Sequence, residues 1–155
     1  MRGLWTWAVE AYARPGVSET CLGLQDLHDQ NVCLLLWAAW TASDGRPLDD
    51  DAVEAAVDTA RAWDDSAIAP LRAIRRRLKA AIPDIGDDDR LAMRQQVKAL
   101  ELDGERRLLL ALERLSPDQK GQALPCLPAL ARVSRAWSPV TPRAALETLC
   151  ARLSA

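Results

Sequence analysis

The sequence predicts an all-α fold: one compact domain, residues 1–155, of about seven or eight helices wrapped around a central apolar helix. Three observations predict it. Apolar residues recur at helical spacing along nearly the whole chain, and no alternating run marks a strand. Val32-Cys33-Leu34-Leu35-Leu36-Trp37-Ala38-Ala39-Trp40 contains no polar residue, and a helix apolar on every side must be surrounded. It continues apolar, but for Thr41, only to Ala42, about half the length that crosses a bilayer core. Finally, Pro and Gly punctuate the chain at helix-length intervals, and no linker is long enough to divide it.

The first helix covers residues 3–13, with Trp5, Ala8, Val9 and Tyr12 on one stripe and Leu4, Trp7 and Ala11 beside it. Arg14-Pro15-Gly16 ends it. Ser18 is placed to cap a second helix carrying Cys21, Leu24 and His28 along one side. The central helix follows Asp29 or Asn31 and ends at Ser43-Asp44-Gly45-Arg46-Pro47. Asp50 or Asp51 caps the next, whose stripe is Val53, Ala56, Val57, Ala60 and Trp63. Residues 66–70 either start a helix or kink one. The segment to about Ala81 has a predicted buried stripe of Ile68, Leu71, Ile74, Leu78 and Ile82. Asp87-Asp88-Asp89 opens a further helix with acids at its positive end, and its stripe is Met93, Val97 and Leu100. After Gly104 the stripe turns toward Leu108, Leu109, Leu112 and Leu115, which predicts a kink or break there. Ser116-Pro117-Asp118-Gln119 has the form of a capping box. Residues 125–142, with four prolines, form the least regular part, and Thr141-Pro142 opens a last helix with Leu146, Leu149, Cys150 and Leu153.

A formal net charge of −2 argues against nucleic acid as the partner class. Six Trp stand against one Tyr and no Phe, so Trp carries most of the aromatic packing. Cys21, Cys33, Cys126 and Cys150 form no C-x-x-C pair and lie beside Leu or Val, as small buried thiols do. The N-terminal apolar stretch meets Glu10 too early for a signal peptide, and a reduced cytoplasmic protein without membrane association is expected.

Two constellations carry polar chemistry. Gln25, Asp26, His28, Asp29 and Asn31 crowd the junction of the second and third helices. His28 is the only histidine, a candidate acid or base, although the ends of two helices need polar partners there in any case. Arg72, Arg75, Arg76, Arg77 and Lys79 form a basic run, on which Arg72, Arg76 and Lys79 share a stripe. Arg75 falls at the edge of the apolar stripe and requires a carboxylate, for which Asp26 is the expected partner. The C-x6-H-x4-C spacing of Cys21, His28 and Cys33 is no established zinc pattern, and no metal or cofactor is expected. Asp84 and Asp88 make a D-x-x-x-D pair in a Pro/Gly loop, without the helical setting that diphosphate binding requires. There is no phosphate loop, dinucleotide fingerprint, H-E-x-x-H or nucleophile elbow.

Trp5-x-Trp7-Ala8, Tyr12-x-x-Pro15-Gly16-Val17, Cys21-Leu22-x-Leu24-Gln25-Asp26, Leu34-Leu35-Leu36-Trp37-x-x-Trp40, and Trp63 with Leu71-Arg72-x-x-Arg75-Arg76-x-Leu78-Lys79 together resemble a bacterial, mainly proteobacterial, family of short helical cytoplasmic proteins of unknown function. The resemblance covers most of the chain and is strongest over residues 4–80. It implies an all-helical fold and brings no activity. The family pattern often places Asn just before the Leu-Leu-Leu run, where this chain has Cys33, so any polar role of that Asn is lost here or moved to Asn31.

The leading functional expectation is a non-catalytic interaction or adaptor protein, with a protein partner or self-association through Trp7, Arg72, Arg76 and Lys79. The alternative is a small-ligand-binding protein or enzyme with an interhelical pocket near Gln25, Asp26, His28, Asn31 and Arg75. A third reading is polyanion or RNA binding through the Arg72–Lys79 face.

Overall fold

The computed structural model describes residues 2–155 and is all-helical. Among the described residues there are eight α-helices: α1 Leu4–Tyr12, α2 Val17–His28, α3 Val32–Ser43, α4 Asp50–Trp63, α5 Ala69–Arg77, α6 Asp87–Arg114, α7 Cys126–Trp137 and α8 Arg143–Ser154. One π-helical turn, Asp64–Ile68, joins α4 directly to α5. No helix among these residues is long and apolar enough to cross a membrane.

The centre is α3. Every residue from Cys33 to Ala42 is buried, and it packs on α7, α6, α1, α4 and α2. Asn31 caps it, its side-chain oxygen accepting from the Leu34 N–H at 3.1 Å. Two indoles on this helix are fully enclosed, and each finds a hydrogen-bond acceptor, as a buried Trp N–H must. Trp37 donates to Ser116 Oγ (2.7 Å), and Trp40 donates to the Arg2 carbonyl (3.2 Å). At the end of α3, Gly45 adopts φ +65°, and a Cβ there would lie 2.3 Å from the Gly121 carbonyl oxygen. Only glycine allows the two backbones to meet.

Several local expectations are corrected. α6 runs 28 residues without a break, so Gly104 is not a kink. The apolar stripe turns there because the helix changes neighbours. Its first half lies along α5, and its second half enters the core with Leu108, Leu109 and Leu112. Gly104 allows Ile68 of the π turn to approach; a Cβ would stand 3.1 Å from Ile68 Cγ1. Met93 and Leu100 are exposed, and Arg90, Val97 and Glu101 are the buried residues of that half. Of the predicted α5 stripe only Ile68 is fully buried, whereas Ile74 faces solvent. The helix expected after Ser116 does not form. Ser116 Oγ instead donates to the Leu112 carbonyl (3.0 Å) while it accepts from Trp37.

Gly16 rather than Ser18 precedes α2, and Asp49 rather than Asp50 or Asp51 caps α4, accepting from the Ala52 N–H at 2.8 Å. The proline-rich region holds a regular helix, α7. Pro128 sits in its first turn, where no intrahelical N–H is needed. At residues 66–70 the π turn ends at Ile68 and α5 starts at Ala69, with no gap in the helical backbone. Pro70 lacks an N–H and its ring crowds the carbonyl one turn back; the wider π turn relieves both problems.

Candidate functional site: an interhelical cavity with a charged floor

Between α1, α2, α5 and α6, with α3 behind, lies a cavity of about 1100 Å3, partly open to solvent. α1 supplies Trp5, Ala8, Val9 and Tyr12, the stripe read from the sequence. Core packing is done by the neighbouring face, Leu4, Trp7, Ala8 and Ala11. Trp7, expected on an interaction surface, is 8% exposed, because α1 turns this face toward the core formed with α3 and α6. α2 adds Cys21, Leu22 and Gln25, and α3 adds Val32, Cys33 and Leu36.

The floor is charged. Glu101, 6% exposed, accepts from Arg75 Nε at 2.5 Å and from Arg75 Nη2 at 3.4 Å. Arg72 lies among three carboxylates: Nε is 3.3 Å from Glu101, Nη1 is 3.9 Å from Asp64 and Nη2 is 4.0 Å from Glu105. Arg72 Nε is buried and makes no well-directed hydrogen bond. Burial pushes the Glu105 carboxyl up to about 7, helped by the Glu101 charge and opposed by Arg72 and Arg75. Burial likewise raises Asp64, again opposed by Arg72. Tyr12 is raised to about 12, first by burial and then by surrounding negative groups including Glu105. Burial also pushes the Cys21 thiol up to about 12 and that of Cys33 well above its usual value, so neither is poised as a thiolate.

Second interactions hold this frame. Arg90, buried on α6, donates to the Leu78 and Lys79 carbonyls (2.8 and 3.0 Å) and so closes the C-terminal end of α5. Arg94 Nε reaches the Arg75 carbonyl at 3.3 Å. At the other rim Ser134 donates to Gln30 Oε1 (2.7 Å), and the Trp137 indole donates to the Asp29 carbonyl (2.8 Å), tying the α2–α3 junction to α7. Arg61 covers one face of Trp137, 4.0 Å from its centroid.

The structure divides the predicted polar residues. Gln25, Asn31 and Arg75 line the cavity, as does Arg72. Asp26 and His28 are exposed and lie outside the lining. Arg75 pairs with Glu101 and not with Asp26. Asp26 pairs instead with Arg76, because Arg76 projects from α5 on the solvent side, toward α2, while Arg75 points at α6. Of the predicted basic face, Arg76 and Lys79 are exposed, and Arg72 is turned inward by the three acids. Sequence reasoning missed Glu101, Glu105 and Asp64. A signal for the first was present: Val97, Glu101, Gly104 and Leu108 are spaced 4, 3 and 4, which places a carboxylate inside a buried stripe.

Another depression, of about 410 Å3, lies between α4 and α7 and is lined by exposed charges such as Asp50, Glu54 and Asp58, with Arg132. It has no buried ionic floor.

A family model described as "protein of unknown function (DUF2390)" matches residues 3–112. The chain belongs to the DUF2390 family. The matched segment includes α1 to α5 and nearly all of α6, and hence the whole charged floor and all of the cavity lining except Trp137. No curated protein and no solved structure matches the chain.

Proposed function

We propose that this DUF2390 protein binds a small amphipathic molecule in the cavity between α1, α2, α5 and α6. The observation that carries the reading is the combination of volume and lining: about 1100 Å3, apolar walls, and buried charges confined to one region. Small-molecule sites have this character, a largely apolar concavity with a few converging polar groups. Catalysis is not part of the proposal, because the thiols at the site are held protonated and His28 stands outside it. The adaptor reading has less to stand on, since Trp7 is buried and Arg72 is engaged in the floor; Arg76 and Lys79 alone remain on its surface.

The test is binding of decanol by isothermal titration calorimetry. Roughly 0.8 kcal/mol per buried methylene puts this probe in the micromolar range. Val9 on α1 and Ala99 on α6 are exposed lining residues, so Val9→Trp and Ala99→Trp each place an indole at the cavity's exposed edge with little effect on the core. Either variant is expected to weaken binding by about tenfold, equivalent to roughly 1.4 kcal/mol. Failure of decanol and of its charged ten-carbon analogues to bind, or binding indifferent to both variants, refutes the reading.

A further inference from the structure

The charged floor is out of balance, and the imbalance has a sign. Among the described residues, Asp64, Glu101 and Glu105 make their ion pairs with Arg72 and Arg75, and Arg61 acts on Asp64 from farther off. Arg75 is committed to Glu101 through two N–H groups. Arg72 divides itself among all three acids, and none of its contacts is shorter than 3.3 Å. Glu105 is left with a single ion pair, at 4.0 Å. At the rim, Lys98 and Asp29 add one charge of each sign.

The groups facing Glu105 register the same imbalance. Tyr12 on α1 and Cys33 on α3 are both shifted toward their neutral forms by its charge, as well as by burial. On the remaining sides are Asp64 from the π turn, Arg72 and Arg75 from α5, and Glu101 from α6. A half-buried carboxylate without a close cation carries part of the cost of a buried charge, and a ligand that brings one removes that cost. An anionic ligand would enter beside three carboxylates and find one guanidinium already committed and the other shared.

We propose that the cavity takes a cationic amphiphile, an ammonium whose charged head pairs with Glu105 and whose apolar body lies along Trp5, Val9, Leu22 and Leu36. This rests on the cavity reading above and adds the ligand's charge and the residue that recognises it. Tyr12 suits the same class, since an ammonium is attracted to aromatic faces, whereas Trp5 already carries the Arg106 guanidinium 5.6 Å from its centroid.

The experiment compares decylammonium, decanoate and decanol by calorimetry at pH 6 and pH 8, on the full chain and on Glu105→Gln. Decylammonium keeps its charge throughout that range, as a primary amine titrates near 10. It is expected to bind about tenfold or more tighter than decanol at pH 8, the advantage of a charge-assisted hydrogen bond. That advantage shrinks at pH 6, where Glu105 takes up a proton, and decanol is indifferent to pH. In Glu105→Gln the decylammonium affinity falls to that of decanol and loses its pH dependence. If decanol or decanoate binds as tightly as decylammonium at pH 8, the cationic assignment is overturned while the cavity reading stands. A decylammonium preference untouched by Glu105→Gln overturns Glu105 as the counter-charge. If none of the three binds, both proposals fall. Should the variant fold poorly, the pH dependence of the wild-type chain decides alone.

Discussion

Replacing Glu101 by Gln tests whether the cavity floor is held by its ion pairs. The substitution preserves shape and removes one charge that faces Arg75 at 2.5 Å and Arg72 at 3.3 Å. The side chains of Glu101, Arg72 and Arg75 are 8%, 15% and 20% exposed, so water screens them only in part. Truncating one member of a fully buried pair costs about 3–5 kcal/mol. The residual exposure of both arginines, and the Asp64 and Glu105 carboxylates still near Arg72, reduce this to about 2 kcal/mol. With a urea slope of about 2 kcal/mol/M, the unfolding midpoint falls by about 1 M. Tryptophan fluorescence reads the transition. Arg75→Gln and the double variant complete a cycle in which a coupling of about 1–2 kcal/mol is expected. Arg76→Gln breaks a pair whose side chains are 51% and 44% exposed, and serves as the control, with about 0.5 kcal/mol or less at stake. A loss for Glu101→Gln no greater than for Arg76→Gln, without coupling to Arg75, refutes the claim that the floor is a buried ionic network.

Other outcomes follow from the same geometry. The folded chain holds the Glu105 carboxyl at about 7 against 4.5 for the free group, so it binds a proton more tightly than the unfolded chain does. Stability therefore falls as pH rises from about 4.5 to about 7, by about 1–2 kcal/mol once the 32% exposure of the Glu105 side chain is allowed for, and is level above that range. Urea midpoints across that range should show the slope in the wild type and a clearly smaller one in Glu105→Gln. Ser116→Ala leaves the enclosed Trp37 N–H without its acceptor and costs about 1–3 kcal/mol, read as a drop in thermal midpoint. Gly104→Val forces β-branched bulk against Ile68 and loses roughly 1–3 kcal/mol. Gly23→Ala on α2 enters open space and is expected to stabilise by up to about 1 kcal/mol, so equal effects at the two glycines would contradict the packing described.

The central helix was legible because nine consecutive apolar residues leave no solvent face, whatever surrounds them. Helix α1 was legible as a helix but not in its orientation. Both of its faces carry Trp, and only tertiary packing decides that Trp7 enters the core while Trp5 lines a cavity. At the polar α2–α3 junction Gln25 and Asn31 line the concavity and His28 does not, a division that proximity in sequence says nothing about. Arg75 was recognised as needing an acid. Its partner lies 26 residues downstream on α6, in a stripe whose period was obscured by the exposed Met93, Leu100 and Leu102. Local periodicity assumes that buried means apolar. Where a fold buries charges together, as this one does under its cavity, that assumption hides the residues of most interest.

The π turn at Asp64–Ile68 sets the rotational phase of α5. An α-helix advances about 100° per residue, and a π turn accommodates one residue more than the regular winding would. Were residues 64–68 rewound as regular α-helix with no residue lost, α4 and α5 would join as a single uniform helix, and every side chain beyond would swing by about 100° about the axis. Arg72 and Arg75 would then leave the carboxylates of α6 although neither had been mutated. Winding in this segment is thus under a stricter constraint than length: removing Ala67 would take out the extra residue and leave Arg72 and Arg75 nearly in phase with α6, whereas straightening the turn at full length would dismantle the cavity floor.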